Sequence, residues 1–204
     1  DTVSVFSFHP IKNITTGEGG MVCTHDEKVA EEVSLLKFHG MSREAWKRYS
    51  AQGTPNYDIV LPGYKYNMMD IQAAIGIHQL TKLDRFIQRR AGIAEYYNKA
   101  FSGVEEVITP AAAPYPYRHA WHLYIVRLKL EKLVIGRNEF IERLRRRRVG
   151  ASVHFIPIQL HPFFAGLAGL RQNRCPRSLA LYERIISLPL YPSLTGEEVN
   201  RVAA

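Results

Sequence analysis

The stretch Ser7-Phe8-His9-Pro10-Ile11-Lys12, followed by Thr15-Thr16-Gly17-Glu18-Gly19-Gly20, constrains this chain more than any other. Apolar runs at residues 3–8 and 20–24 read as two short strands, and the segment between them must turn. A lysine therefore sits just beyond a strand end, in a turn that breaks into glycines. An amine that attacks a carbonyl carbon must be neutral, which calls for a partly buried, cationic pocket. A strand end entering a Gly-rich turn can fix such a group. Ser7, a few residues upstream, can offer a hydroxyl to a phosphate. On spacing alone, Lys12 reads more simply as a solvated surface lysine.

Composition places the chain among soluble globular proteins. Of its 204 residues, 46% are hydrophobic and 23% charged, enough to bury a core in one or two domains. No apolar run approaches the roughly 18 residues that span a bilayer, so no membrane association is expected. No secretory signal is visible. Cys23 and Cys175 fit neither a disulfide framework nor a metal-ligand spacing, which suits a reducing cytoplasm. None of the eight histidines forms a metal-binding pair, and no metal is expected.

The net charge of +8 favours anionic partners: nucleic acid, a nucleotide diphosphate or a cofactor phosphate. Part of it is local, at Arg143, Arg145, Arg146, Arg147 and Arg148. These close an expected helix over residues 138–148, where cations complement the helix dipole. No aromatic interleaving accompanies them, so a solvated helix end is the simpler reading and nucleic acid is not an expected partner.

Asp26 can cap a helix running to about residue 38. Residues 40–66 read as irregular, with Gly53, Pro55, Pro62 and Gly63 as breakers. Helical spacing of Ile71, Ile75, Leu83, Phe86, Ile87, Tyr97 and Phe101 predicts one long helix over residues 70–101, with a kink near Gly92. Strands are expected over residues 121–130 and 151–156, and a helix over 176–186. Thr195 and Glu198 form a capping box for a last helix.

The lysine segment resembles that of the DegT/DnrJ/EryC1/StrS aminotransferases, pyridoxal-phosphate enzymes that aminate nucleotide-linked keto sugars. The resemblance continues through Pro62-Gly63-Tyr64-Lys65-Tyr66-Asn67-Met68-Met69-Asp70 and Gln72-Ala73-Ala74-Ile75-Gly76. It returns at Gln79-Leu80, Leu83-Asp84, Val153-His154-Phe155, Pro157 and His161-Pro162, in the family's order. A family member is roughly twice as long, with its lysine near the middle, so the chain corresponds to the C-terminal part of such an enzyme.

The resemblance implies an α/β fold of the type I pyridoxal-phosphate aminotransferases. Part of a mostly parallel large-domain sheet would lie near the lysine, with a smaller C-terminal α+β domain after it. Residues 1–90 would be the remainder of the cofactor-binding domain with the start of the linking helix, and residues 91–204 the smaller domain. Lys12 would carry the cofactor and the catalysis, Ser7 would bond the cofactor phosphate, and Asn67 would reach the phosphate of a neighbouring subunit. An active site shared across a homodimer follows from that last role. Glu18, His154 and His161 would contact substrate; His9 would be structural. The implied reaction transfers an amino group from an amino acid, expected to be glutamate, to a nucleotide-linked keto sugar. The alternative is a non-catalytic fragment serving dimerisation and substrate binding, with apolar surface left exposed.

Overall fold

The two apolar runs beside the lysine pair with each other. In the computed structural model, which describes residues 2–42, 56–167 and 175–204, β1 (Ser4–Ser7) and β2 (Gly20–Cys23) form a two-stranded antiparallel sheet. The expected parallel arrangement does not occur here. The Phe8 N–H donates to the Gly19 carbonyl at 2.8 Å, which closes the connection into a reversal. A parallel neighbour would need a crossover, usually a helix. Val5 and Phe6 point to opposite faces of the hairpin, as do Met21 and Val22, and all four are exposed. Strands that are apolar on both faces are the kind normally covered on both sides.

The chain divides into two compact units, Asp1–Leu83 and Asp84–Ala204. In the first, α1 (Glu27–Leu36) starts where expected. The Asp26 carboxylate accepts from the N–H groups of Lys28 and Val29 at 2.9 and 3.3 Å, satisfying donors a helix start leaves open. The described part of the irregular stretch is laid back along the end of α1. Tyr64 N–H donates to Leu36 and Tyr66 N–H to Lys37, and bridges join Phe38 to Lys65 and Met41 to Ile59. Its remaining breakers, Gly53 and Pro55, lie outside the described residues.

The single helix expected over residues 70–101 is two: α2 (Asp70–Leu80) and α3 (Leu83–Phe101). At the break, the Thr81 hydroxyl donates to the His78 carbonyl at 2.8 Å, a local bond that competes with helix continuation. Gly92 lies inside α3.

In the second unit, β3 (Val107–Ile108), β4 (Tyr124–Leu128) and β5 (Ile185–Leu188) form an antiparallel sheet in that order. Tyr124, Val126 and Leu128 are buried with period two. They pack with Ile93, Ala94 and Tyr97 of α3, with Ile186 and Leu188, and with Val199 of α7 (Gly196–Ala203). Phe140, Ile141 and Leu144 of α4 (Arg137–Arg146) close the margin of this core. Each large apolar side chain fully buried here contributes about 1.5–3 kcal/mol. The arginine-rich end of α4 is solvated: Arg143 pairs with Glu139 and Arg145 with Glu142.

Within this core Arg90 is buried, and its Nη1 donates to the carbonyls of Trp121, His122 and Leu190 at 3.1, 3.2 and 2.7 Å. Burial pushes the guanidinium pKa below its ordinary value because the charged form loses solvation.

Two further expectations change. The helix expected over residues 176–186 ends at Tyr182 as α6 (Pro176–Tyr182), and β5 follows. Ile186, Ser187 and Leu188 are all buried, and a short buried strand has no period to separate it from a helix. The strand expected over residues 151–156 reduces to one bridge, Ser152 to Ser187. A short helix, α5 (Pro162–Ala165), lies beyond it.

Candidate active site

Lys12 closes a β-turn. Its N–H donates to the His9 carbonyl at 2.9 Å, and Pro10 takes the second position, where its fixed φ suits the turn. His9 Nδ1 accepts from the Ile11 N–H at 3.3 Å, bracing the turn from within. The lysine is half-buried, and it makes no ion pair among the described residues. Its amine is therefore held on a fixed backbone with no carboxylate paired to it among the described residues.

The glycine-rich part is tied down from three sides. Phe8 contributes its carbonyl, which accepts from Thr16 N–H at 3.0 Å and from the Thr15 hydroxyl at 2.9 Å. Thr16 is buried, and its hydroxyl donates to the Glu18 carbonyl at 2.7 Å. From α2, Gln72 Nε2 donates to the same carbonyl at 2.7 Å. Gly17 and Gly19 have φ of +82° and +154°, conformations a side chain resists. A Cβ on Gly19 would also stand 2.5 Å from Thr16 Oγ1 and 2.9 Å from Met68 Cε. The start of α2 is thus pressed against the turn that presents Lys12.

Ser7 ends β1 and is exposed. Its Oγ accepts from the His9 N–H at 3.5 Å, a long contact that leaves the hydroxyl proton to give. The Glu18 carboxylate lies 3.8 Å from His9 Nε2 and is largely solvated. Asn67 is half-buried. Its Oδ1 accepts from Lys65 Nζ, and that ammonium sits 4.4 Å above the Phe38 ring. Asn67 Nδ2 has no partner among the described residues. The fold thus gathers Ser7, His9, Lys12 and Glu18 into one turn, and the residue after Asn67 touches that turn.

His154 and His161 belong to the second unit and line separate concavities. His154 is half-buried with Nδ1 2.7 Å from Ser187 Oγ. His161 is exposed before α5, beside Ile156, Ile158 and Phe163. An open cleft of about 980 Å³ in the first unit, between the hairpin and α1, is lined by Phe6, Val22, Leu36, Tyr64 and Tyr66 and includes none of the candidates.

Thr16 and Gln72 are the site residues that motif reading gives no role. Gln72 had one legible signal: it stands at the third position of α2, and its Oε1 accepts from the Met69 N–H at 3.0 Å, half of a capping box.

The donors suit an aldehyde carrying a phosphate. Lys12 supplies one amine and the Ser7 hydroxyl a neutral hydrogen-bond donor for phosphate oxygens, neither consumed by a strong internal bond among the described residues, and Asn67 Nδ2 is a further open donor outside the turn. Pyridoxal phosphate is such a molecule. Among the described residues no group of three or more His, Cys, Asp or Glu could hold a metal ion. No described helix is long and apolar enough to cross a membrane.

Comparison with known proteins points the same way. The DegT/DnrJ/EryC1/StrS aminotransferase family matches residues 1–204. An uncharacterised protein of Methanocaldococcus jannaschii, MJ1066, is 50% identical over 98% of this chain and 51% of its own length. The spore coat polysaccharide biosynthesis protein SpsC of Bacillus subtilis is 44% identical over 98% of this chain and 51% of its own. A putative sugar aminotransferase of Streptococcus pneumoniae, Spr1654, in its PLP form, superposes with a TM-score of 0.84 at 33% identity, over 98% of this chain and 50% of that one. The same protein is also known in a PMP form. The chain spans about half the length of the curated relatives it matches.

Proposed function

Because the chain belongs to the DegT/DnrJ/EryC1/StrS aminotransferase family, whose members depend on pyridoxal phosphate, we propose that it is part of a sugar aminotransferase. In this reading the whole protein moves an amino group from glutamate to a nucleotide-linked keto sugar in the cytoplasm, as one half of a homodimer. The observation that carries the proposal is the braced turn of His9 to Lys12, which holds an amine with no ion pair among the described residues, just beyond the strand end that presents the Ser7 hydroxyl.

Pyridoxal phosphate, when bound, supplies the electron sink that makes a bond at the substrate carbon weak. The rest falls to the chain. Lys12 Nζ would hold the cofactor covalently, and once displaced by an amino acid its free amine would take the proton from the donor's α-carbon and pass it on, then run that transfer in reverse for the keto sugar. Ser7 Oγ would donate to the cofactor phosphate. Asn67 Nδ2 would donate to the phosphate in the neighbouring subunit, which makes each site depend on two chains. Glu18, His154 and His161 would orient substrate. The names of SpsC and Spr1654 support a sugar acceptor and a role in surface polysaccharide synthesis.

Borohydride reduction in the presence of pyridoxal phosphate, followed by peptide mass analysis, tests the assignment. The expected result is a phosphopyridoxyl group on Lys12 that disappears in Lys12→Ala. An adduct on another lysine, unchanged by that substitution, refutes the role of Lys12. The hairpin exposed on both faces favours one second reading: that these residues alone are a non-catalytic module. An adduct on the full-length protein and none on these 204 residues selects it.

A further inference from the structure

A second concavity, of about 530 Å³, lies wholly within the second unit. Its floor is apolar, with Val149, Leu188 and Leu194 among its residues. Two arginines from different elements reach it, Arg148 just after α4 and Arg201 on α7. Neither makes an ion pair among the described residues. Ser187 and His154 add a hydroxyl and an imidazole, 2.7 Å apart.

The one acidic residue in the lining, Glu198, is already engaged. Its carboxylate accepts from Thr195 N–H at 2.8 Å and from the Thr195 hydroxyl at 3.1 Å in the cap of α7. Those bonds, and to a smaller extent the positive charge of nearby Arg201, hold its pKa below the usual carboxylate range. The surroundings reinforce the sign. Residues 1–83 carry slightly more acids than bases, so the whole net charge of +8 arises in residues 84–204.

We propose that this pocket binds a small organic phosphate, with Arg148 and Arg201 gripping the phosphate oxygens and the apolar floor taking the organic body. Guanidinium forks match phosphate geometry, and two of them entering from separate elements can serve different oxygens of one group. The volume falls in the range of small-molecule sites, and a mostly apolar lining with a few converging polar groups is their usual make-up. The proposal stands on residues of the second unit and shares only His154 with the substrate contacts of the aminotransferase reading.

Phenyl phosphate is the probe, titrated calorimetrically into the intact chain, with benzoate as the carboxylate counterpart. The expected result is one saturable phenyl phosphate per chain. Arg148→Gln and Arg201→Gln, both exposed positions, should each weaken it at least tenfold, and benzoate should bind at least tenfold more weakly. Arg146→Gln, outside the pocket, should leave binding unchanged. Absence of saturable binding overturns the proposal. So does equal weakening by Arg146→Gln, which would mean a diffuse basic surface. Binding abolished by Ser7→Ala but kept by both pocket variants belongs to the cofactor phosphate and also overturns it. Benzoate binding equal to phenyl phosphate overturns the choice of ligand.

Discussion

Replacing Gly19 by alanine should loosen the turn that presents Lys12, whereas the same change at Gly17 should not. The two glycines differ in what surrounds them. At Gly17 a Cβ meets nothing within 4 Å, so the substitution pays only for an unfavourable φ of +82°. That strain is about 1–2 kcal/mol, partly offset by the smaller freedom of alanine in the unfolded chain, for a net loss of about 1 kcal/mol. At Gly19 the φ of +154° is sparsely populated for any side chain, costing about 1–3 kcal/mol. The new Cβ would also stand 2.5 Å from the Thr16 hydroxyl. Thr16 must give way, and its bond to the Glu18 carbonyl goes with it. The Gln72 bond to that carbonyl is strained by the same shift. At about 1 kcal/mol for each bond, the total comes to about 3–5 kcal/mol. Urea unfolding of both variants measures the cost, and the borohydride adduct at Lys12, at a sub-saturating cofactor concentration, measures the consequence. Gly19→Ala should lower the adduct yield at least tenfold, with Gly17→Ala close to wild type. Equal stability of the two variants, or a full adduct yield from Gly19→Ala, would refute the idea that the contact with Thr16 sets the turn.

Two further outcomes follow from the second unit. Arg90→Met keeps the bulk but strips three carbonyls of their donor, and should cost about 3 kcal/mol or more in urea unfolding; a loss below 1 kcal/mol would show that water replaces the guanidinium at no penalty. Burial raises the Tyr97 pKa from 10 to about 12 and pushes Tyr124 up as well. Their protonated forms are favoured in the fold, so stability present below pH 10 should fall between about pH 10 and 12, by about 1.4 kcal/mol per pH unit for each tyrosine. Tyrosinate absorbance should rise together with unfolding, and Tyr97→Phe should make the fall shallower; an unchanged slope would count against Tyr97 as a source.

Caps and turns were legible in the sequence because their causes are local. Asp26 and Thr195 with Glu198 mark helix starts through bonds spanning three residues at most, and the structure makes those bonds. The lysine turn was legible for the same reason. The break at Thr81 was not: no glycine or proline marks it, and the apolar spacing carries on across it. β5 was hidden because its residues are buried without alternation, and only pairing with β4 makes Ile185–Leu188 a strand. In the site, motif reading named Ser7, Lys12, Glu18 and Asn67 but gave no part to Thr16 or Gln72. Gln72 acts on Glu18 across a sequence separation of 54 residues, and no local pattern encodes that. It also attached importance to the side chain of Glu18, whereas the carbonyl of that residue carries the two short bonds.

The setting of Arg90 gives the second unit an unusual immunity. A cation held by carboxylates weakens when acid protonates them or when salt screens them. Three peptide carbonyls neither titrate nor exchange their dipoles for counterions. The seam that fastens α3 to the approach of β4 and the exit of β5 is therefore indifferent to moderate changes of acidity and ionic strength. What can part it is heat or denaturant, which act on the whole core at once.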